Sequence, residues 1–355
     1  SLEEVEHATG IACAHIDSLG DALAKDAGML ELCVVSEADP SVTELVNQVR
    51  SQNGAVDAQV NAANDAKLLE ALAELRLIKD QWEIEQLELA VSVTKSGFEK
   101  LIRSLPRATE HWRGERVLEG AFGAVAREEG NGLGYDTIAA SGNHANTLHW
   151  INNDGRVLES DMVLVDAGAE VDSLYTADVT RTLPVSGTFS EAQRKIYQAV
   201  LDAADASFAK ANEPGVRFRD LHNAAMEVLA ERLESWGCLP EGVTAAQSLS
   251  AEGQYHRRWM VHGTSHHLGL DVHDCAQARR EMYMDALLEP GMCFTIEPGL
   301  YFRADDLQVP EELRGQAVRI EDDIVIDPDG SARRITADIP RDTDDVENWV
   351  RSLRG

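Results

Sequence analysis

The sequence predicts an α+β fold in two domains. Three observations predict it: helical and strand-like hydrophobic periods are mixed without a βαβ rhythm, neither GxGxxG nor a Walker sequence occurs, and 355 residues exceed the roughly 150 of one domain. A content of 44% apolar and 26% charged residues is enough to bury a core in each domain. The net charge of −30 repels phosphate backbones and anionic lipid, and no Lys/Arg stripe reverses it locally, so nucleic acid is excluded as a partner. Uninterrupted apolar runs, such as 162–165, fall far short of the roughly 20 residues that span a bilayer, so no membrane segment is expected. Five scattered cysteines, Cys13, Cys33, Cys238, Cys275 and Cys293, show no CxxC spacing and read as reduced thiols of a cytoplasmic protein. The opening Ser1-Leu2-Glu3-Glu4 has no initiator Met and no signal-peptide pattern, which predicts a processed or truncated form.

In chain order, residues 1–75 read as a partial α/β domain with a strand at 30–35, a helix at 42–49 and a surface connection or weak helix at 51–65. Residues 76–355 form the second domain. There, Asp80 with Glu83 makes a capping box, and Ile84, Leu87, Val91, Thr94, Phe98 and Leu101 recur at helical spacing. Further helices are predicted at 115–128, from Ser190 with Gln193 as its box partner, at 218–235 and within 245–254. Strand-like runs lie at 137–140, 146–151, 162–166, 173–183, 293–297 and 317–326. Similar blocks around 166–178 and 297–321 suggest a duplicated, hairpin-bearing half.

Four blocks could carry chemistry. An apolar strand ends in Asp166, turns near 171–173 and returns with Asp178, bringing two carboxylates together. Val261 to Asp274 holds four of the eleven histidines, at 262, 266, 267 and 273, beside glycines that permit close backbone approach. Imidazole is both a metal ligand and a proton shuttle near neutral pH. Glu297 ends the apolar run 293–297, and Glu321 follows Arg319 on one face of a period-2 run. Taken singly, each acid reads as a turn cap or a solvated edge residue. Jointly, Asp166, Asp178, Glu297 and Glu321 with one imidazole form an oxygen-rich set whose charge two divalent ions neutralise. Such a set suits Mn²⁺, with Co²⁺ or Zn²⁺ as alternatives, and a metal pair can hold a hydroxide nucleophile at neutral pH, so amide hydrolysis follows. No GxSxG elbow or convincing nucleophilic cysteine supports a covalent route.

In this order the blocks resemble the pita-bread metallopeptidases, over roughly residues 74–335, and His262-Gly-Thr-Ser-His266-His-Leu-Gly-Leu-Asp-Val-His273-Asp looks most like the aminopeptidase P branch. The resemblance implies a pita-bread catalytic domain behind a short or truncated N-terminal domain, a homo-oligomer, and peptide substrates with proline at the second position. It implies that Asp166, Asp178, His266, Glu297 and Glu321 hold the metals, and that Asp178 and Glu321 bridge them. Glu297 would double as general base, and His262 and His273 would contact substrate. His149 would lie near the leaving amine, and Arg319 would hold a metal-binding aspartate. Two departures stand out: an extra residue between Asp166 and Asp178, which enlarges the turn, and a segment before Asp80 about half the usual length. A prolidase cutting Xaa-Pro dipeptides is the nearest alternative, and a metal-free binding module of the same fold is a more distant one.

Overall fold

The computed structural model describes residues 1–27, 29–36, 38–52 and 57–354, in two compact units. The first comprises Ser1–Leu75 with Gln277–Arg279. Its helices are α1 (Leu2–Thr9), α2 (Leu19–Asp26), α3 (Pro40–Gln52) and α4 (Ala58–Leu75). The predicted strand at 30–35 does not form, because side chains take the backbone groups that a neighbouring strand would pair. The Arg50 guanidinium donates to Leu32 O at 2.6 Å, and Asp65 Oδ1 accepts the Val34 N–H at 2.9 Å. The expected connection at 51–65 is largely helix α4, while residues 53–56 lie outside the described residues.

The second unit comprises Arg76–Ala276 and Arg280–Gly355. Helix α5 (Gln81–Arg103) starts at the predicted box: Asp80 Oδ1 accepts the Glu83 N–H at 2.9 Å and Glu83 returns the bond at 2.7 Å. Then follow α6 (Leu105–Glu110), α7 (Gly114–Glu129), α8 (Glu191–Ala211), α9 (Phe218–Ser235), α10 (Ala245–Leu249) and α11 (Thr343–Arg354). The box at Ser190 and Gln193 opens α8 as predicted. Helices α5 and α7 bury their apolar faces together, with Phe98 edge-on to Phe122 at 5.9 Å, and α8 packs along α9.

The strands are β1 (Gly132–Leu133), β2 (Ile138–Ser141), β3 (Met162–Ala167), β4 (Ala169–Glu170) and β5 (Val179–Pro184), then β6 (Cys293–Ile296), β7 (Gly299–Phe302), β8 (Gln316–Arg319), β9 (Asp322–Ile326) and β10 (Ala332–Arg334). These strands pair antiparallel throughout. One sheet has the order β2-β3-β5, another β10-β9-β6, and β7-β8 and β1-β4 form ribbons.

Three strand expectations need correction. The run at 146–151 is a turn, because the buried Glu115 carboxylate draws it in through the Trp150 indole N–H at 2.9 Å and the Gly155 N–H at 2.6 Å. The run at 173–183 is a strand only from Val179, since 171–175 closes on itself through Val171 N–H to Tyr175 O at 3.0 Å, with Leu174 at φ 70°. The run at 317–326 breaks between β8 and β9, so that the chain leaves one sheet and enters another at Ile320 and Glu321. Among the described residues, no helix is long and apolar enough to cross a membrane.

Candidate metal centre

The ends and breaks of strands deliver the acids. Asp166 sits in β3 opposite Thr180 of β5. Asp178 immediately precedes β5 and donates its backbone N–H to Asp323 Oδ2 at 3.1 Å. Glu297 follows β6, its N–H bound to Thr264 O at 2.8 Å. Glu321 occupies the break between β8 and β9, where its N–H reaches Thr180 O at 3.0 Å and Oε2 accepts the Thr180 hydroxyl at 2.7 Å. The backbone of His266 is clamped to β6 on both sides: its N–H donates to Thr295 Oγ1 and its carbonyl accepts the Thr295 N–H at 2.9 Å.

The result is a tight cluster. His266 Nε2 lies 3.3 Å from Asp178 Oδ2, 3.5 Å from Glu297 Oε1 and 3.9 Å from Glu321 Oε1. Asp178, His266 and Glu321 each offer a ligand atom within 4.8 Å of the others. Asp166 joins through Tyr135, whose hydroxyl lies 2.7 Å from Asp166 Oδ1 and also bonds Asp178 Oδ1, and Arg319 Nη2 donates to Asp166 Oδ2 at 2.6 Å. All nine residues singled out in the sequence line one cavity of about 280 Å³: Asp166, Asp178, His266, Glu297, Glu321, His149, His262, His273 and Arg319. A larger cavity of about 610 Å³ lies within the first unit, and its charged lining pair, Arg50 and Asp65, is closed on itself at 2.6 Å.

Burial controls the electrostatics. It pushes the Glu297 carboxyl up to about 8, against the opposing pull of His266 and Arg319. Burial and the neighbouring charges of Asp178 and Glu297 hold Glu321 far above the carboxylate range, and Asp166 is raised by burial that Arg319 offsets only in part. Burial works against a charged His266, yet its bond to Asp178 and the charge of Glu297 win and raise it to about 9. His262 is driven down to about 3 by burial and by Arg319, so it is neutral. Arg319 Nη1 donates to Tyr301 Oη at 2.8 Å, which leaves the Tyr301 hydroxyl to donate to His262 Nε2 at 2.7 Å. That fixes the His262 proton on Nδ1, 2.7 Å from Gly263 O and 3.4 Å from Glu297 Oε2. His273 meets the His266 ring edge-on at 4.5 Å, and His149 stands exposed on the turn held by Glu115.

Four carboxylates converge with Arg319 as the one permanent cation in the cavity lining, so their charge is not balanced from within. Hard oxygen donors in excess plus one imidazole fit divalent cations.

The sequence matches Metallopeptidase family M24 over residues 85–328. The chain belongs to this family. It is 50% identical over 328 residues to Xaa-Pro aminopeptidase 1 of Streptomyces coelicolor, covering 90% of this chain and 65% of that protein. It is 33% identical over 293 residues to human Xaa-Pro aminopeptidase 3, covering 82% of this chain and 55% of that one. The chain thus spans about two thirds of the length of its Streptomyces relatives. A variant of Escherichia coli aminopeptidase P in complex with substrate superposes with a TM-score of 0.86 at 27% identity, over 100% of this chain and 78% of that one. The zinc-substituted form of the same enzyme, in complex with product, superposes equally well at 0.86. The M24 fold here is therefore the predicted pita-bread α+β fold.

Sequence reasoning missed four residues that shape this M24 site: Tyr135, Thr180, Tyr301 and Asp323. Tyr135 left one signal, its place beside Gly134. A Cβ at Gly134 would come within 1.8 Å of Thr176 Oγ1, and one at Gly168 would come within 1.7 Å of Ala177 O and 2.9 Å of the Tyr135 ring. Gly168 thus lets the Ala177 carbonyl and the Tyr135 ring approach its backbone, and Gly134 leaves room for Thr176. Asp323 is fully buried with Oδ1 unpartnered, and burial and Asp178 raise its carboxyl far above the usual range.

Proposed function

We propose that this chain carries a two-metal Xaa-Pro aminopeptidase site, with residues 76–355 as its catalytic domain and residues 1–75 as part of an N-terminal domain. The carrying observation is the convergence of His266 with Asp178, Glu297 and Glu321, within 3.3 to 3.9 Å, in a cavity where four carboxylates face Arg319 as the one permanent cation. The relatives named Xaa-Pro aminopeptidase support the reading.

In this reading Asp166, Asp178, His266, Glu297 and Glu321 hold the ions, with Asp178 and Glu321 serving both, and Mn²⁺ is the first choice. Bound divalent ions would supply an acidified water and polarise the scissile carbonyl. Every remaining task falls to side chains. Glu297 takes the proton of the attacking water on a carboxylate oxygen and passes it to the leaving proline nitrogen, a role its place in the cavity beside His262 and His266 permits. His262, neutral and protonated on Nδ1, accepts the Tyr301 hydroxyl at Nε2 and forms one wall of the reacting cavity. His273 and His149 also line this cavity and contact the substrate, His149 near the leaving amine. Arg319 and Tyr135 hold Asp166 from two sides and keep its oxygens aimed at the centre. A proline amide nitrogen carries no N–H, so a site that grips the carbonyl and the free amine loses nothing to it.

The test is a manganese titration of Xaa-Pro-Xaa cleavage by the purified chain. Release of the first residue in proportion to metal supports the proposal. Turnover confined to Xaa-Pro dipeptides would make the protein a prolidase, and no turnover at any metal concentration would remove the peptidase reading.

A further inference from the structure

Beside the acidic centre lies a second cavity of about 370 Å³, which shares His262, Gly263 and Ser265 with the first. In a chain with 62 acidic residues, none of the residues lining it is Asp or Glu, while two arginines and three histidines are. One of those arginines, Arg219, is ion-paired with Asp285. The other, Arg257, is exposed, and no hydrogen bond or ion pair engages its side chain among the described residues.

The walls around Arg257 are built rather than loose. His256 is buried and tied to Ser248 by its backbone N–H at 2.8 Å and its ring Nδ1 at 2.9 Å. Gln254, at φ 52°, turns the chain so that the Arg257 N–H meets Gln254 O. His222 bonds Thr264 Oγ1 at 2.9 Å, joining α9 to the segment that carries His262 and His266. Burial lowers both His222 and His256, and the charge of Arg257 adds to it.

We propose that this cavity receives a carboxylate on the far side of the scissile bond, with Arg257 as its cationic partner. The inference rests on the aminopeptidase reading and adds a substrate class: short peptides ending in a free carboxylate soon after proline. The two cavities form a charge gradient along one peptide. The acids attract the α-amine, the arginine side attracts the carboxylate, and the shared His262 to Ser265 wall lies between them. At about 3.5 Å per extended residue, the terminal carboxylate of a tripeptide sits only about 7 Å beyond its first carbonyl. Longer peptides carry it past the cavity unless an acidic side chain stands in its place.

The experiment compares Ala-Pro-Ala, its C-terminal amide, and Ala-Pro-Glu amide, with KM and kcat for the manganese-loaded chain and calorimetric affinities for the metal-free chain. A charge-assisted contact predicts that the free acid has a KM and a dissociation constant about tenfold lower than the amide, with little change in kcat. Arg257→Gln should erase the difference, and Arg257→Lys should restore most of it. If the Glu amide matches the free acid, either carboxylate serves; if it matches the plain amide, the chain terminus alone is read. Equal affinities for acid and amide in the unsubstituted chain, or a preference that survives in Arg257→Gln, overturn the proposal. Calorimetric discrimination without hydrolysis of any peptide would sink the peptidase reading and leave the carboxylate site standing.

Discussion

Glu321, Asp322 and Asp323 follow one another where β9 begins, and they meet opposite surroundings. Asp322 turns to one side, where Arg181 Nη2 at 2.7 Å, Arg341 Nε at 3.2 Å and the Thr336 hydroxyl at 2.8 Å surround it. Burial alone would raise it, but Arg181 and Arg341 outweigh burial and hold its carboxyl below the usual range. Glu321 and Asp323 turn to the other side, toward Asp178, and both are pushed far above that range. All three are buried. The chain therefore provides counter-charge where an acid fixes the fold and withholds it at the centre. A buried acid beside arginines reads as architecture, and buried acids beside other acids read as a request for an external cation.

The comparison can be broken at several points. The largest effect belongs to Glu297→Gln: turnover of Xaa-Pro peptides should fall about 10²- to 10⁴-fold while part of the metal stays bound, read by steady-state kinetics and metal analysis. Near-normal hydrolysis would remove Glu297 from proton transfer. Next, Asp322→Ala strands a fully buried guanidinium and should cost about 3–5 kcal/mol in urea unfolding. Glu321→Gln relieves like-charge crowding and should leave the metal-free protein no less stable. Equal losses in the two variants would erase the distinction between the two sides of β9. Smaller is Tyr135→Phe, which frees Asp166 and Asp178 from the shared phenol and should weaken metal binding about 10- to 100-fold by calorimetry.

The smallest effect separates the two sides by pH. Glu297, Glu321 and Asp323 have folded-state values raised above their unfolded ones, so the folded chain binds more protons than the unfolded chain between the ordinary carboxylate range and about 8. The contribution of these carboxyls to the stability of the metal-free protein should fall as pH rises through that window, and added divalent metal should restore more at pH 8 than at pH 5. Asp322 has the opposite sign: its contribution is present above the unfolded value and is lost as pH falls through its lowered folded value. Thermal melts across pH, with and without metal, read both, and comparison with metal-free Glu297→Gln cancels the opposite pull of the lowered histidines; a pH dependence that this substitution leaves unchanged contradicts the first.

The site was more legible in the sequence than the fold around it. Metal-type acids and histidines are rare in apolar runs, so Asp166, Glu297 and Glu321 stood out, and the four-histidine block marked itself. Capping boxes at Asp80 and Ser190 set helix starts because their bonds are local. Strand ends were less legible because long-range side-chain bonds decide them: Glu115 pulls 146–151 into a turn, and Arg50 with Asp65 occupies the backbone near 32–34. Tyr135 and Asp323 were hidden for the same reason, since an aromatic or an acid in a mixed run says nothing of its partners across 31 or 145 residues of chain.

The central claim is that distant strands of one chain trap a pair of cations among Asp166, Asp178, His266, Glu297 and Glu321. Equilibrium dialysis of the purified protein against Mn²⁺ at pH 8, followed by elemental analysis, tests it most directly. The account predicts two ions per chain, with occupancy lost in Glu321→Gln and retained in His222→Gln. Binding of no manganese, or binding indifferent to Glu321, would contradict it.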